Sequence, residues 1–171
     1  MRPNEGHDRE VMRLRAATAG DQGLLARATL GNVNWNGPRF TADQVRTNPH
    51  LWHYVACWPG PGDFGYVAED EAGAWIGVAW LKHFSSRTPG YGFIDETIPE
   101  LSIHVIASQR GRGAGTRLLV AVIDEARRRL LPGISLSVEP GNPALRLYTR
   151  HGFAPAGPDH DASTCLLAFG A

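Results

Sequence analysis

Leu101-Ser102-Ile103-His104-Val105-Ile106-Ala107-Ser108-Gln109-Arg110-Gly111-Arg112-Gly113-Ala114-Gly115-Thr116 is the stretch on which the fold turns. From Glu100 onward apolar and polar residues alternate. Leu101, Ile103 and Val105 fall on one face of a strand over residues 100–107, and Glu100, Ser102 and His104 on the other. A glycine-rich turn follows. Beyond it Leu118, Leu119, Val122, Ala126 and Leu130 form one stripe, which predicts a long amphipathic helix over 113–131. Glycines let backbone N–H groups turn toward an anion with no side chain in the way. The first turn of a helix adds unpaired N–H groups and a partial positive charge. Strand, glycine turn and helix start therefore make a phosphate cradle, to which Arg110 and Arg112 add charge.

Three phosphate-binding patterns compete for this loop. A Walker A loop ends in Gly-Lys-Ser/Thr, but here Gly115 is followed by Thr116 and Arg117. A dinucleotide fingerprint needs G-x-G-x-x-G opening the helix of a βαβ unit, and Gly111-Arg112-Gly113-Ala114-Gly115 lacks the last spacing. The pattern that fits is R-x-x-G-x-G, here Arg110 to Gly115.

Outward from this core, 11–16 alternates as a strand, 22–30 reads as a helix after the start residues 18–21, and 31–38 as a loop. Thr41 caps a short helix through Arg46 that Pro49 closes. Residues 65–68 and 74–83 read as strands joined by a tight turn, and 134–138 as a strand after Pro132-Gly133. Residues 142–151 read as a helix with Asn142 as N-cap and Pro143 at its first position. Two strands, 153–156 and 163–169, end the chain. The pattern is an α/β (α+β) domain around one sheet, with 1–10 a polar tail and 11–171 one domain.

The hexapeptide Arg110 to Gly115, the strand before it and the amphipathic helix after it resemble the acyl-CoA-binding motif of the GNAT superfamily of N-acyltransferases. A second signature follows downstream: Leu136-Ser137-Val138, then Asn142, then Leu147-Tyr148 and Gly152-Phe153. In many members the asparagine lies one residue further from the tyrosine. The resemblance covers about 100–153. It implies a central mixed, mostly antiparallel sheet with helices on both faces, the strands 100–107 and 134–138 forming a splayed pair.

The resemblance also implies acetyl-CoA as cosubstrate and direct transfer of the acetyl group to a primary amine, on a small molecule or a peptide, in a ternary complex. Ile103, His104 and Val105 would pair their backbone with the pantetheine arm as an extra strand would. Arg110, Gly111, Arg112, Gly113, Ala114, Gly115 and Thr116 would hold the pyrophosphate, with Asn142 contributing. Tyr148 would be the general acid toward the departing thiolate. Glu100 would be the general base, with Glu139 or a water chain as alternatives. His104 has a suitable intrinsic pKa but faces a covering helix. Trp35, Trp52, Tyr54 and Trp80 are candidates for an aromatic acceptor wall, and Asp95 and Glu96 for attracting a cationic amine. A non-catalytic acyl-CoA-binding or sensor module on the same fold is the alternative.

The 171 residues carry 17 basic and 17 acidic side chains, so no global field favours nucleic acid or a membrane surface. The arginines between 110 and 150 are the local exception, and Asp124 stands at ion-pair spacing from Arg128. Cys57 and Cys165, far apart, make neither a disulfide framework nor a metal motif, and no metal is expected. Residues 1–10 lack a secretory h-region and no apolar run reaches spanning length, which makes the cytoplasm the expected location. Homodimers are common in the superfamily, but no segment shows how one would form.

Overall fold

The computed structural model describes residues 11–170. The polar tail expected over 1–10 lies outside the described residues.

Among the described residues seven strands form one sheet in the order β1-β2-β3-β4-β5-β7-β6. They are β1 (Arg13–Ala16), β2 (Phe64–Glu69), β3 (Trp75–Lys82), β4 (Glu100–Val105), β5 (Gly133–Ser137), β6 (Ala154–Pro155) and β7 (Thr164–Ala168). Every neighbouring pair is antiparallel except β4 and β5, which run parallel and meet at one register position, Glu100 opposite Ser135. The parallel pair needs a crossover, and α4 (Ala114–Arg128) supplies it. The sheet is thus mixed and mostly antiparallel, as the resemblance implies.

Hydrophobic layers cover both faces. On one, α4 buries Leu118, Leu119, Val122, Ile123 and Ala126 against Phe64, Ala79, Leu101 and Ile134. Each leucine, valine, isoleucine or phenylalanine buried there contributes roughly 1.5–3 kcal/mol. On the other, α1 (Gln22–Val33), α3 (Pro49–Trp52) and the turn after it cover β3 through Leu25, Ala28, Trp52 and Val55 against Val78 and Trp80. α2 (Ala42–Thr47) carries the capping box of Thr41 and Gln44.

The sequence reading needs correcting at several element ends. Pro49 opens a helix as well as closing one: Asn48 Oδ1 accepts the His50 N–H at 3.0 Å, and Pro49 takes the first helical position, where its missing N–H costs nothing. Asn142 does not start α5, which runs Leu145–Arg150. Its Oδ1 instead accepts the Ala144 N–H at 2.9 Å in a turn one step earlier. α4 stops at Arg128 rather than at Pro132-Gly133. Leu130 takes the left-handed conformation, φ 57°, and the Leu131 N–H bonds the Ala126 carbonyl at 3.1 Å, so a leucine closes the helix where glycine is usual. Glu125, not Asp124, pairs with Arg128 and with Arg129, each at 2.8 Å.

Candidate active site

The parallel contact between β4 and β5 lasts one position, and beyond Glu100 the strands diverge. The Ile106 N–H bonds Ile76 on β3 at 2.9 Å, so alternation turns the N–H and C=O groups of Ile103 and Val105 away from β3, into the gap beside β5. The Val105 carbonyl is taken by Arg110 Nε at 3.0 Å. Unpaired strand backbone is thus left facing a cleft of about 740 Å³.

One end of this cleft is the glycine loop. Gly111 and Gly113 have φ 74° and 88°, conformations that side chains resist. A Cβ at either would meet no atom within 4 Å, so the space in front of the loop is open. Gly113 is the N-cap of α4 and offers no side-chain cap, and the Arg117 N–H is the first to bond back to its carbonyl, at 3.0 Å. The N–H groups of Ala114, Gly115 and Thr116 therefore have no acceptor within the helix. This donor-rich loop beside unpaired strand backbone suits a phosphorylated ligand with an extended arm.

At the other end stands Glu100, 3% exposed. Its Oε1 accepts the Tyr54 hydroxyl at 2.7 Å, while buried Oε2 makes no full hydrogen bond. Lys82 lies directly across the sheet from Glu100 but sends its ammonium to Asp63, 3.3 Å away. Burial without a cation pushes the Glu100 carboxyl up to about 7, against the opposing pull of the Tyr54 hydroxyl and the Gly92 N–H. Burial, then the charge of Glu100, pushes Tyr54 the other way from ionisation, so it stays a donor. The loop 90–92 packs on this pair. A Cβ at Gly90 would lie 2.0 Å from Glu100 Oε2, so only glycine lets the backbone pass there.

Tyr148, on α5, is buried beside Phe153 and lines the same cleft. Burial raises its hydroxyl above the ordinary tyrosine value, so it holds its proton at any working pH. Ser102 and His104 share the Glu100 face of β4. His104 Nδ1 stands 3.1 Å from Asn32 Oδ1, with its ring against Trp75, and burial followed by the charge of Arg110 lowers it to about 4. It is a neutral side chain near pH 7. Glu139 is bound by both terminal nitrogens of Arg39 at 3.0 Å and by the Trp35 indole, and these contacts hold its carboxyl below the usual range.

The cleft thus gathers Glu100, Ile103, His104, Val105, Arg110, Gly111, Gly115, Asn142, Tyr148 and Glu139 from the sequence reading. Arg112 and Gly113, in the loop, and Ala114 and Thr116, in the first turn of α4, do not line the cleft. Of the aromatic candidates, Trp35 and Tyr54 line it. Trp80 is sealed in the core with its indole on the Tyr54 carbonyl at 3.0 Å, and Trp52 packs on the α1 side. Asp95 and Glu96 bind Thr97 and Ser86 within their own loop. Sequence reasoning missed Tyr91, Arg39 and Phe40, which also line the cleft. No local pattern marks them. Among the described residues no helix is long and apolar enough to cross a membrane.

Residues 32–153 match the acetyltransferase (GNAT) family. Over 92 residues, 53% of this chain and 51% of the other, it is 37% identical to an L-methionine sulfoximine/L-methionine sulfone acetyltransferase of Pseudomonas aeruginosa. Over 88 residues, 49% of this chain and 24% of the other, it is 34% identical to a mycothiol acetyltransferase of Brachybacterium faecium. The chain spans about half the length of the first relative and about a quarter of the second. A GCN5-related N-acetyltransferase from Kribbella flavida shares the fold, with a TM-score of 0.65 at 24% identity over 94% of this chain and 99% of that one. A GNAT family acetyltransferase from Brucella melitensis, solved in complex with acetyl-CoA, does so with 0.61 at 18% identity over 95% and 90%. With the family match spanning both the splayed strands and the glycine loop, the chain belongs to the GNAT family of acetyltransferases.

Proposed function

We propose that this protein is an N-acetyltransferase that moves the acetyl group of acetyl-CoA directly onto a primary amine. The observation that carries this reading is the divergence of β4 from β5, which leaves the N–H groups of Ile103 and Val105 turned into the gap between a glycine loop and a buried carboxyl. The curated relatives, both named as acetyltransferases, support it.

When bound, acetyl-CoA supplies an activated acyl group as a thioester. The N–H groups of Ala114, Gly115 and Thr116, left without intrahelical acceptors at the end of the loop, bind the pyrophosphate, and Arg110 adds charge. Asn142, at the cleft wall, contributes to the same ligand. The Ile103 and Val105 N–H groups align the pantetheine and hold the thioester carbonyl oxygen, stabilising the negative charge that grows there. Glu100 accepts the proton of the incoming ammonium. A carboxyl held near 7 is poised for that task, because its basicity matches the working pH. Tyr148 donates its proton toward the departing sulfur and orients it. Glu139, neutralised by Arg39, is the weaker candidate base. His104, low in basicity and held by Asn32, keeps a packing role.

Calorimetric titration with acetyl-CoA, with ATP and NAD as controls, tests the reading. Selective binding of acetyl-CoA, followed by release of free thiol on addition of amines, is the expected result. A folded protein that ignores acetyl-CoA would sink it.

A further inference from the structure

The lining beside Glu100 indicates what kind of amine fits. Tyr91 stacks on Tyr54 with ring centroids 6.2 Å apart and planes 11° from parallel, yet 59% of it remains exposed. Its backbone is fixed on both sides: the N–H bonds the Tyr54 hydroxyl at 2.7 Å, and the carbonyl accepts from Thr164 at 3.4 Å. Because that same hydroxyl donates to Glu100, an open aromatic face is anchored next to the carboxyl. Phe40 and Leu51 line the same cleft.

The cations there are committed elsewhere. Among the described residues that line the cleft, Arg39 gives both terminal nitrogens to Glu139, and Nε and one terminal nitrogen also reach the Val33 carbonyl. Arg110 belongs to the glycine loop, and the strand between it and Glu100 spans roughly 17 Å. His104 is neutral near pH 7. A carboxylate on the acceptor, next to its amine, would lose water without gaining a cationic partner.

We propose that the acceptor is an apolar primary amine with no carboxylate beside the amine, its hydrocarbon or aryl body resting on Tyr91 and its nitrogen turned to Glu100. This rests on the acetyltransferase reading above and narrows its substrate class. It sets the chain apart from the Pseudomonas aeruginosa relative, which is named for amino-acid analogues.

The test compares 2-phenylethylamine with phenylalanine, which differs from it by the carboxylate alone, and with L-methionine sulfone. Thiol release should give 2-phenylethylamine a kcat/KM on the order of 100-fold above either amino acid, the size expected for an unpaired desolvated charge. Equal or better turnover of phenylalanine or methionine sulfone overturns the proposal. Calorimetry of each amine on CoA-saturated protein decides the matter even where no turnover occurs, with phenylalanine binding as tightly as 2-phenylethylamine counting against it. Failure to bind CoA would remove the acetyltransferase reading instead, and the same amine titrations on the free protein would still decide the preference. Tyr91→Ala, at a mostly exposed side chain, should raise the KM for 2-phenylethylamine about 3- to 10-fold and leave acetyl-CoA affinity unchanged. An unchanged KM removes Tyr91 from the acceptor site.

Discussion

Replacing Glu100 with glutamine removes an ionisable group from the core while keeping its shape. Burial moves this carboxyl from an ordinary value of 4.5 to about 7. Between those two values the folded protein holds a proton that the unfolded chain has released. Stability therefore falls as pH climbs through that window and levels off above it, because the native state binds more protons there than the unfolded state does. Each pH unit is worth about 1.4 kcal/mol. The raised carboxyl thus costs the native state on the order of 3 kcal/mol at pH 8, where it must ionise in the core, and about 1 kcal/mol at pH 5, where it must hold a proton that the unfolded chain releases.

Glutamine escapes this cost. Its amide oxygen still accepts from Tyr54, and whatever its NH₂ group loses or gains does not depend on pH. Urea unfolding of both proteins at pH 5 and pH 8 isolates the titration. The stability of Glu100→Gln relative to the wild type should rise by about 2 kcal/mol from the lower pH to the higher. The same variant should lose most acetyl transfer, since an amide takes no proton. A gap that is the same at both pH values would refute the burial argument, and retained turnover would refute the role as base.

Tyr148→Phe should lower kcat by roughly 10²–10⁴-fold while acetyl-CoA affinity, read by calorimetry, stays within about twofold; full activity removes it as the acid. Gly113→Val puts a branched side chain at φ 88°, which costs roughly 1–2 kcal/mol of backbone strain and crowds the open space before the loop. Weaker acetyl-CoA binding by at least about tenfold is the expected titration result. Leu130→Gly removes a side chain that is 89% exposed and contributes little packing, at a left-handed position. It should stabilise the protein by about 1 kcal/mol, seen as a rise of about 2–4 °C in Tm; a fall would refute the helix-end argument.

The parts of the site that depend on local chemistry were legible in the sequence. Gly111 and Gly113 occupy conformations that demand glycine, and the stripe on α4 has the period of its helix, so strand, loop and helix could be read in order. The buried environment of Glu100 was not legible. It depends on Tyr54, 46 residues away, and on a glycine at position 90 that sits against its carboxylate. Tyr91 was illegible for the same reason, since its place comes from a hydrogen bond to Tyr54 and another to β7. The Arg39–Glu139 pair joins residues 100 apart in sequence, and it turned a candidate base into a neutralised one. Pro49 and Leu130 were misread for a different reason: proline both ends and starts helices, and a leucine in the left-handed region leaves no sign in composition.

The three residues 90–92 tie these features together. Gly90 admits the carboxylate, Tyr91 offers its ring to the cleft and its N–H to Tyr54, and Gly92 lies so close to the backbone of Leu136 and Ser137 that a Cβ would come within 2.5 Å. The segment is therefore pinned to β5 at the point where β4 and β5 part. Seating it there excludes water from Glu100, which raises the basicity of the carboxyl, and the same seating fixes the aromatic face beside it. On the proposed reading, base strength and acceptor shape thus have one structural origin. A change that loosens this segment lets water back to Glu100, lowers its basicity and frees the Tyr91 ring, so its effects on the pH profile and on acceptor KM should arrive together. The destabilisation carried by an ionised Glu100 is then the thermodynamic counterpart of that arrangement, tolerated because the hydrophobic layers on both faces of the sheet outweigh it.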